Sequence, residues 1–285
     1  MEPHEGVGAS LLAACVAGSV AISLLTFWGL GGLVHYVYYV RRRDRAAEWK
    51  LQPKRFLPTR LVRNAFWLGS LNMLIGASLG GVFACHVLRG GASSLYFDPL
   101  EHGAPWLFAS GLVTFFVIDA GLYYSHRLMH RPWMFKHIHR WHHRYTAPVV
   151  FTTTAVHPIE FLFFAASVLL PALVVPVHWA VYVAVVAYTY LIGMIDHSGI
   201  DVRWPLPLHA GNRFHDDHHV LFHCNYGHHT QIFDLVHGSA RREDRRYGID
   251  VFGDRGAPIE TTKPGRRSGV APSSPVIEPA AGEQT

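Results

Sequence analysis

The chain has 285 residues, half of them hydrophobic and only 16% charged, whereas soluble domains carry about 25% charged residues. Its formal net charge is +5, but the basic residues sit beside apolar runs, as membrane topology signals do, so nucleic acid is excluded as the expected partner. Cys15, Cys85 and Cys224 form no CxxC pair and argue against a disulfide framework.

The first apolar run covers about residues 9–34 and is long enough to cross a bilayer core of about 30 Å. It lacks a basic leader and reads as a retained span, not a cleaved signal peptide. Arg41, Arg42, Arg43, Arg45, Lys50, Lys54, Arg55, Arg60 and Arg63 follow it. A second run, about 66–87, carries Gly76, Gly80 and Gly81, which predict close helix packing. The third run, about 106–124, ends at a histidine cluster. Runs at 159–175 and 177–195 are separated by Pro176, with Pro171 just before, and predict a tight helical hairpin that returns to the side it left. Arg241, Arg242, Arg245 and Arg246 come later. The positive-inside rule puts the Arg41–Arg63 loop, the His126–Arg144 region and the C-terminal segment together on the cytoplasmic side. The expected organisation is an N-terminal span and basic loop (1–64), a membrane-embedded catalytic unit (65–252) and a disordered Gly/Pro/Ser-rich tail (253–285). The expected fold class is all-α, a multi-pass membrane bundle with a cytosol-facing histidine site.

Histidine is the anomaly, with 21 residues, six of them between His126 and His143 and seven between His209 and His229. His126 and His130 form an HxxxH. His139, His142 and His143 form an HxxHH, His215, His218 and His219 a second, and His197 stands in a DHSG segment. Residues three and four apart share a helix face, and neutral imidazole is a common ligand for borderline metals. Nine such histidines exceed the donors one metal takes and suit two metals side by side. Glu160, Asp196, Asp216, Asp217 and the intramembrane Asp119 are candidates to accept the second ring N–H of a ligand. His35, His86 and His178, lone histidines in apolar segments, read as structural or interfacial and carry no assignment. His137, His223, His228 and His229 carry no assignment. A transporter would need polar residues lining the spans at mid-depth, and a structural zinc site needs only four ligands; the pattern favours neither.

The ordered segments SHRLMHR, HRWHH, AVHPIE, IDHSGID, NRFHDDHH and NYG resemble the fatty acid hydroxylase (sterol desaturase) superfamily, with echoes of its C4-methylsterol oxidase and cholesterol 25-hydroxylase branches. The resemblance covers about residues 115–238. It implies a cytosol-facing di-iron centre, O2 as oxidant and electrons from cytochrome b5 or a similar carrier. It carries catalytic and metal-binding roles onto His126, His130, His139, His142, His143, His197, His215, His218 and His219, with His157 of HPIE as a further candidate metal ligand. Some members place a histidine where this chain has Asp201, so either Asp201 or His157 is a candidate to complete the set. The expected activity is hydroxylation, oxidation or desaturation of a lipid C–H bond, on a sterol first and on a fatty acyl, sphingoid or ether lipid second. Non-catalytic zinc binding or metal transport is the reading of another class. Two Fe ions per chain are expected, with Zn able to replace them in recombinant protein. The chain has no HPGG segment, so a separate electron donor with its NAD(P)H reductase is expected. The resemblance places such a protein in the endoplasmic reticulum membrane of a eukaryote or the inner membrane of a bacterium.

Overall fold

In a computed structural model, which describes residues 3–259, the chain is almost entirely helical. Four helices are long and apolar enough to cross a membrane: Gly8–Arg41, Thr59–Leu88, Ala104–Met129 and Trp179–Asp196. The protein is a multi-pass membrane protein. Their surfaces are those of helices solvated by lipid: Ile22 is 69% exposed, Leu25 70% and Phe108 77%. The Gly8–Arg41 helix is not uniform, since Thr26–Leu30 and Tyr36–Arg41 are π-helical turns.

Close packing of the first span on the second depends on absent side chains. A Cβ on Gly81 would lie 2.6 Å from Val16 Cα, and one on Gly69 would meet the Phe27 ring at 2.6 Å. One on Gly76 would meet Phe161 at 2.7 Å, but Gly80 faces open space. Two of the three glycines expected at helix contacts therefore serve there. Toward the histidine end, Phe27, Tyr39, Trp49, Tyr145 and Phe151 form the aromatic centre of the hydrophobic core.

The expected hairpin is present, as helices Pro158–Leu169 and Pro171–Val174 followed by Trp179–Asp196. Its turn pairs in parallel with the loop after the second span, Leu95 with Val177 and Tyr96 with His178. The Trp106 indole N–H also donates to the Pro176 carbonyl at 2.8 Å. The hairpin turn is thus tied to the end of the bundle opposite the histidines. His178 and His86 serve locally: His178 Nδ1 accepts from Ala180 N, and His86 Nε2 donates to the Ala92 carbonyl.

The expected tail is packed at its beginning. Asp254 accepts from Arg127 at 2.8 Å and from the Tyr226 hydroxyl at 2.8 Å, and Ala257–Pro258 pair with Arg245–Arg246. The remainder of that expectation, 260–285, lies outside the described residues.

Candidate metal centre

The bundle's polar end reverses the usual distribution of side chains, because there the histidines are inside. The third span delivers His126 and His130 at its C-terminal end. Arg140–His143 and the π-turn Phe135–His139 deliver His139, His142 and His143. The fourth span ends at His197, and the helix Asn212–Leu221 carries His215, His218 and His219. Phe222, at φ 72°, then reverses the chain, a conformation costly for a non-glycine residue.

These nine histidines, all buried, fall into two groups. One is His126, His130, His139, His143 and His218; the other is His142, His197, His215 and His219. Within each group one ligand-capable atom per residue lies within 4.8 Å of all the others.

Hydrogen bonding shows which nitrogens are free. His126 Nδ1 donates to the Tyr226 carbonyl at 2.9 Å, His218 Nδ1 to Cys224 at 2.7 Å and His197 Nδ1 to Gly193 at 2.8 Å. His139 Nδ1 donates to Glu160 Oε1 at 2.6 Å. A carbonyl only accepts, so the N–H of each such neutral ring lies outward and Nε2 keeps its lone pair. The inward nitrogens crowd together: His215 Nε2 is 2.9 Å from His197 Nε2, and His143 Nε2 is 3.1 Å from His139 Nε2. With their N–H fixed outward, His126, His139, His197 and His218 turn Nε2 lone pairs into this crowded interior, and His218 Nε2 is buried without a protein partner among the described residues. A cation in each group would accept these lone pairs, so the residues fit metal ions.

Burial first, and then neighbouring imidazoles, push the ring pKa of His130, His142, His143, His215 and His219 well below the ordinary 6.5. Burial moves His218 the same way and takes His197 down to about 4. Rings that stay neutral at pH 7 keep a lone pair for a metal.

Among the carboxylates expected to hold ligand histidines, only Glu160 does so, and it is fully buried. Asp216 accepts from Gln52 Nε2 at 2.9 Å and Asp217 from Arg241 at 2.7 Å. Asp196 is buried, with Oδ1 unpartnered. Asp119 accepts from the Thr230 hydroxyl at 2.6 Å and from His229 N at 3.1 Å, pinning that loop to the third span. Asp201 is outside both groups and pairs with Arg213 at 2.9 Å. His157 is not brought to either group: its Nδ1 accepts from Ile159 N at 3.2 Å, capping the Pro158–Leu169 helix, and its ring packs against Trp141. The HPIE histidine therefore serves as an N-cap here, and Glu160, three residues on, is what reaches the site.

Three contributors stand outside the motifs. Asp234 accepts from the backbone of Tyr226 at 2.9 Å and of Gly227 at 2.7 Å, and from the Ser239 hydroxyl at 2.7 Å. It thereby holds the NYG turn whose carbonyl orients His126. His223 lies against His130. The His228 ring lies 4.9 Å from that of His126 and 6.0 Å from that of His215, one member of each group. Only the histidine-rich spacing after His219 hints at the last two.

Residues 111–239 match the fatty acid hydroxylase family model. They hold every histidine of both groups. The likeness to the fatty acid hydroxylase family is carried by this segment. Among curated proteins the chain is similar to a Delta(7)-sterol 5(6)-desaturase of Candida glabrata, 30% identical over 156 residues, which are 54% of this chain and 43% of that protein. A very-long-chain aldehyde decarbonylase of Oryza sativa is 34% identical over 142 residues, 47% of this chain and 52% of that one. Lathosterol oxidase of Rattus norvegicus is 32% identical over 154 residues, 52% of this chain and 51% of its own. The chain thus spans about half the length of these relatives. No solved structure matches it.

Proposed function

We propose that the protein is a membrane-bound oxidoreductase that uses O2 to oxidise a lipid C–H bond, with two irons held by His126, His130, His139, His143 and His218 and by His142, His197, His215 and His219. The observation that carries this reading is the pair of adjacent, buried histidine groups at the ends of membrane spans. Bound iron would supply the O2 and electron-transfer chemistry that no side chain here can perform.

The chain's own residues do the rest. Glu160 and the carbonyls of Tyr226, Cys224 and Gly193 hold four rings with their lone pairs inward. Burial keeps bulk water from the groups and keeps the rings neutral. Phe164 packs on His126 and on His228, so an apolar wall meets the first group on the hairpin side. A lipid leaving the bilayer has its apolar body matched there, and the reacting carbon need not pass through water.

A sterol is the favoured substrate, since a sterol desaturase and a lathosterol oxidase are among the relatives. The aldehyde decarbonylase, at 34% identity, favours a long-chain substrate as the second reading. The electron donor is a separate acidic redox carrier of the cytochrome b5 kind. Lys136, Arg140 and Arg144 line a recess of about 550 Å³ on the outer face of the segment that supplies His139, His142 and His143 from its inner face.

The test is metal content and lipid profiling on one iron-supplemented membrane preparation. Iron near two per chain, with a new NAD(P)H- and O2-dependent hydroxylated or unsaturated lipid, is the expected result. Stoichiometric zinc that persists after iron reconstitution, with no oxidised lipid, would replace this reading by a structural one.

A further inference from the structure

We propose that His223 is a positioning residue for the first histidine group, acting through His130; the inference rests on reading that group as a metal site. His223 follows the second HxxHH but belongs to no motif. Its side chain is buried, 1% exposed, between the rings of Phe135 at 4.8 Å and Phe252 at 4.2 Å.

The hydrogen bonds set its state in one direction. His223 Nε2 lies 3.0 Å from the Ile249 carbonyl oxygen. That oxygen can only accept, so Nε2 carries the hydrogen. A neutral imidazole has a single N–H, which makes His223 Nδ1 an acceptor. His130 Nδ1 stands 3.1 Å from it and must donate. The lone pair of His130 is then on Nε2, the nitrogen that faces His143 Nε2 at 3.3 Å inside the group. A backbone carbonyl at residue 249 thus selects, through one intervening ring, which nitrogen of His130 is offered to a metal. This is the role that Tyr226, Cys224 and Glu160 play directly for His126, His218 and His139, performed here at one remove.

Two isosteres separate positioning from packing. Asparagine places its Oδ1 close to where His223 Nδ1 stands, so His223→Asn keeps an acceptor for His130. Glutamine reaches to the Nε2 position, so His223→Gln keeps the bond to Ile249 but withdraws the acceptor. His223→Leu removes both. The readout is iron bound per chain of purified full-length protein, titrated against a chelator, with membrane yield and helical circular dichroism measured alongside.

His223→Asn is expected to retain both ions as the wild type does. His223→Gln and His223→Leu are expected to lose affinity for one ion by about 10- to 100-fold, the usual effect of removing an outer partner of a ligand histidine, with the other ion unchanged. If His223→Leu does not insert, the contrast between Asn and Gln decides alone. Equal chelator resistance in all variants, or equal weakening by Asn and Gln, would overturn the role. A wild type that binds no metal would overturn the metal reading and this role with it, and so is distinguishable from failure of the role alone.

Discussion

The two histidine groups are neighbours but are held differently. In the first group four of the five rings have an outward partner for Nδ1: Tyr226, His223, Glu160 and Cys224. In the second group His197 has one, the Gly193 carbonyl, while Nδ1 of His142 and of His219 meet no protein acceptor among the described residues. The first group also has five members and the second four. Ligands fixed in tautomer and orientation favour tight binding, while a smaller, looser set leaves a coordination position for exogenous ligands. On the proposed function, the first group is therefore the anchor and the second the side where an exogenous ligand such as O2 exchanges.

The largest effect expected from that asymmetry is on turnover. His142→Ala removes one of only four donors from the second group. Activity should fall below detection, and bound iron should drop from about two ions per chain to about one, while the protein still inserts in the membrane. Full activity with unchanged iron would show that His142 is no ligand. Glu160→Gln should act on the other group, lowering affinity for its ion by about 10- to 100-fold. If chelator titration finds the second group's ion weakened instead, the assignment of anchor and exchange side is reversed.

Acid sharpens the contrast differently. The ring of His197 has its folded pKa pushed below 6.5, to about 4, so the unfolded chain binds more protons between those values. Stability of the iron-free protein should therefore be full above pH 6.5 and fall as pH drops towards 4. Thermal unfolding in detergent measures this, and a flat profile across that window would mean that the rings are already charged in the fold. Asp254→Ala unpairs Arg127 and Tyr226, both beside the first group, and is expected to cost about 1–3 kcal/mol. A shift in unfolding midpoint with iron content preserved would limit its role to stability.

The smallest effect is expected at Lys50. Lys50 is buried, and its ammonium faces the Tyr39 and Phe56 rings without a hydrogen-bond acceptor among the described residues. Burial lowers its pKa from 10.5 to about 8. The buried charge thus costs stability below pH 8, and the cost disappears as pH rises towards 10.5. Lys50→Met should be neutral or slightly stabilising at pH 7, and clear destabilisation would reveal a role for the cation.

How much of this was legible depends on the range of each contact. The spans and the hairpin follow from runs of apolar residues and from Pro171 and Pro176, which are local signals. The histidines of the HxxxH and HxxHH motifs come together because spacing of three and four is itself a helix face. Selecting Glu160 from five carboxylates depends on where the hairpin leg meets the Phe135–His139 turn, which no spacing encodes. His157 looks like a ligand by position, yet a proline immediately after it makes it a helix cap. Asp254 sits in a segment rich in glycine, whose composition suggests disorder, but its carboxylate bonds Arg127 and Tyr226, and Ala257–Pro258 pair with Arg245–Arg246, contacts between residues distant in sequence. Asp234 and His223 act across loops, where pattern gives no warning.

The first leg of the hairpin has a mechanical consequence. Pro158–Val174 spans about 25 Å at 1.5 Å per residue, short of a hydrocarbon core of about 30 Å. Its far end is tied to the loop after the second span, so it cannot slide to shorten the gap. Glu160 lies in the first turn of this leg and grips His139. The bilayer must thin beside it, or that end of the centre must sink below the headgroups. Either response brings the histidines nearer to the acyl region and, on the proposed function, makes membrane thickness a variable of turnover: bilayers of shorter lipids should suit this protein better than thick, sterol-stiffened ones.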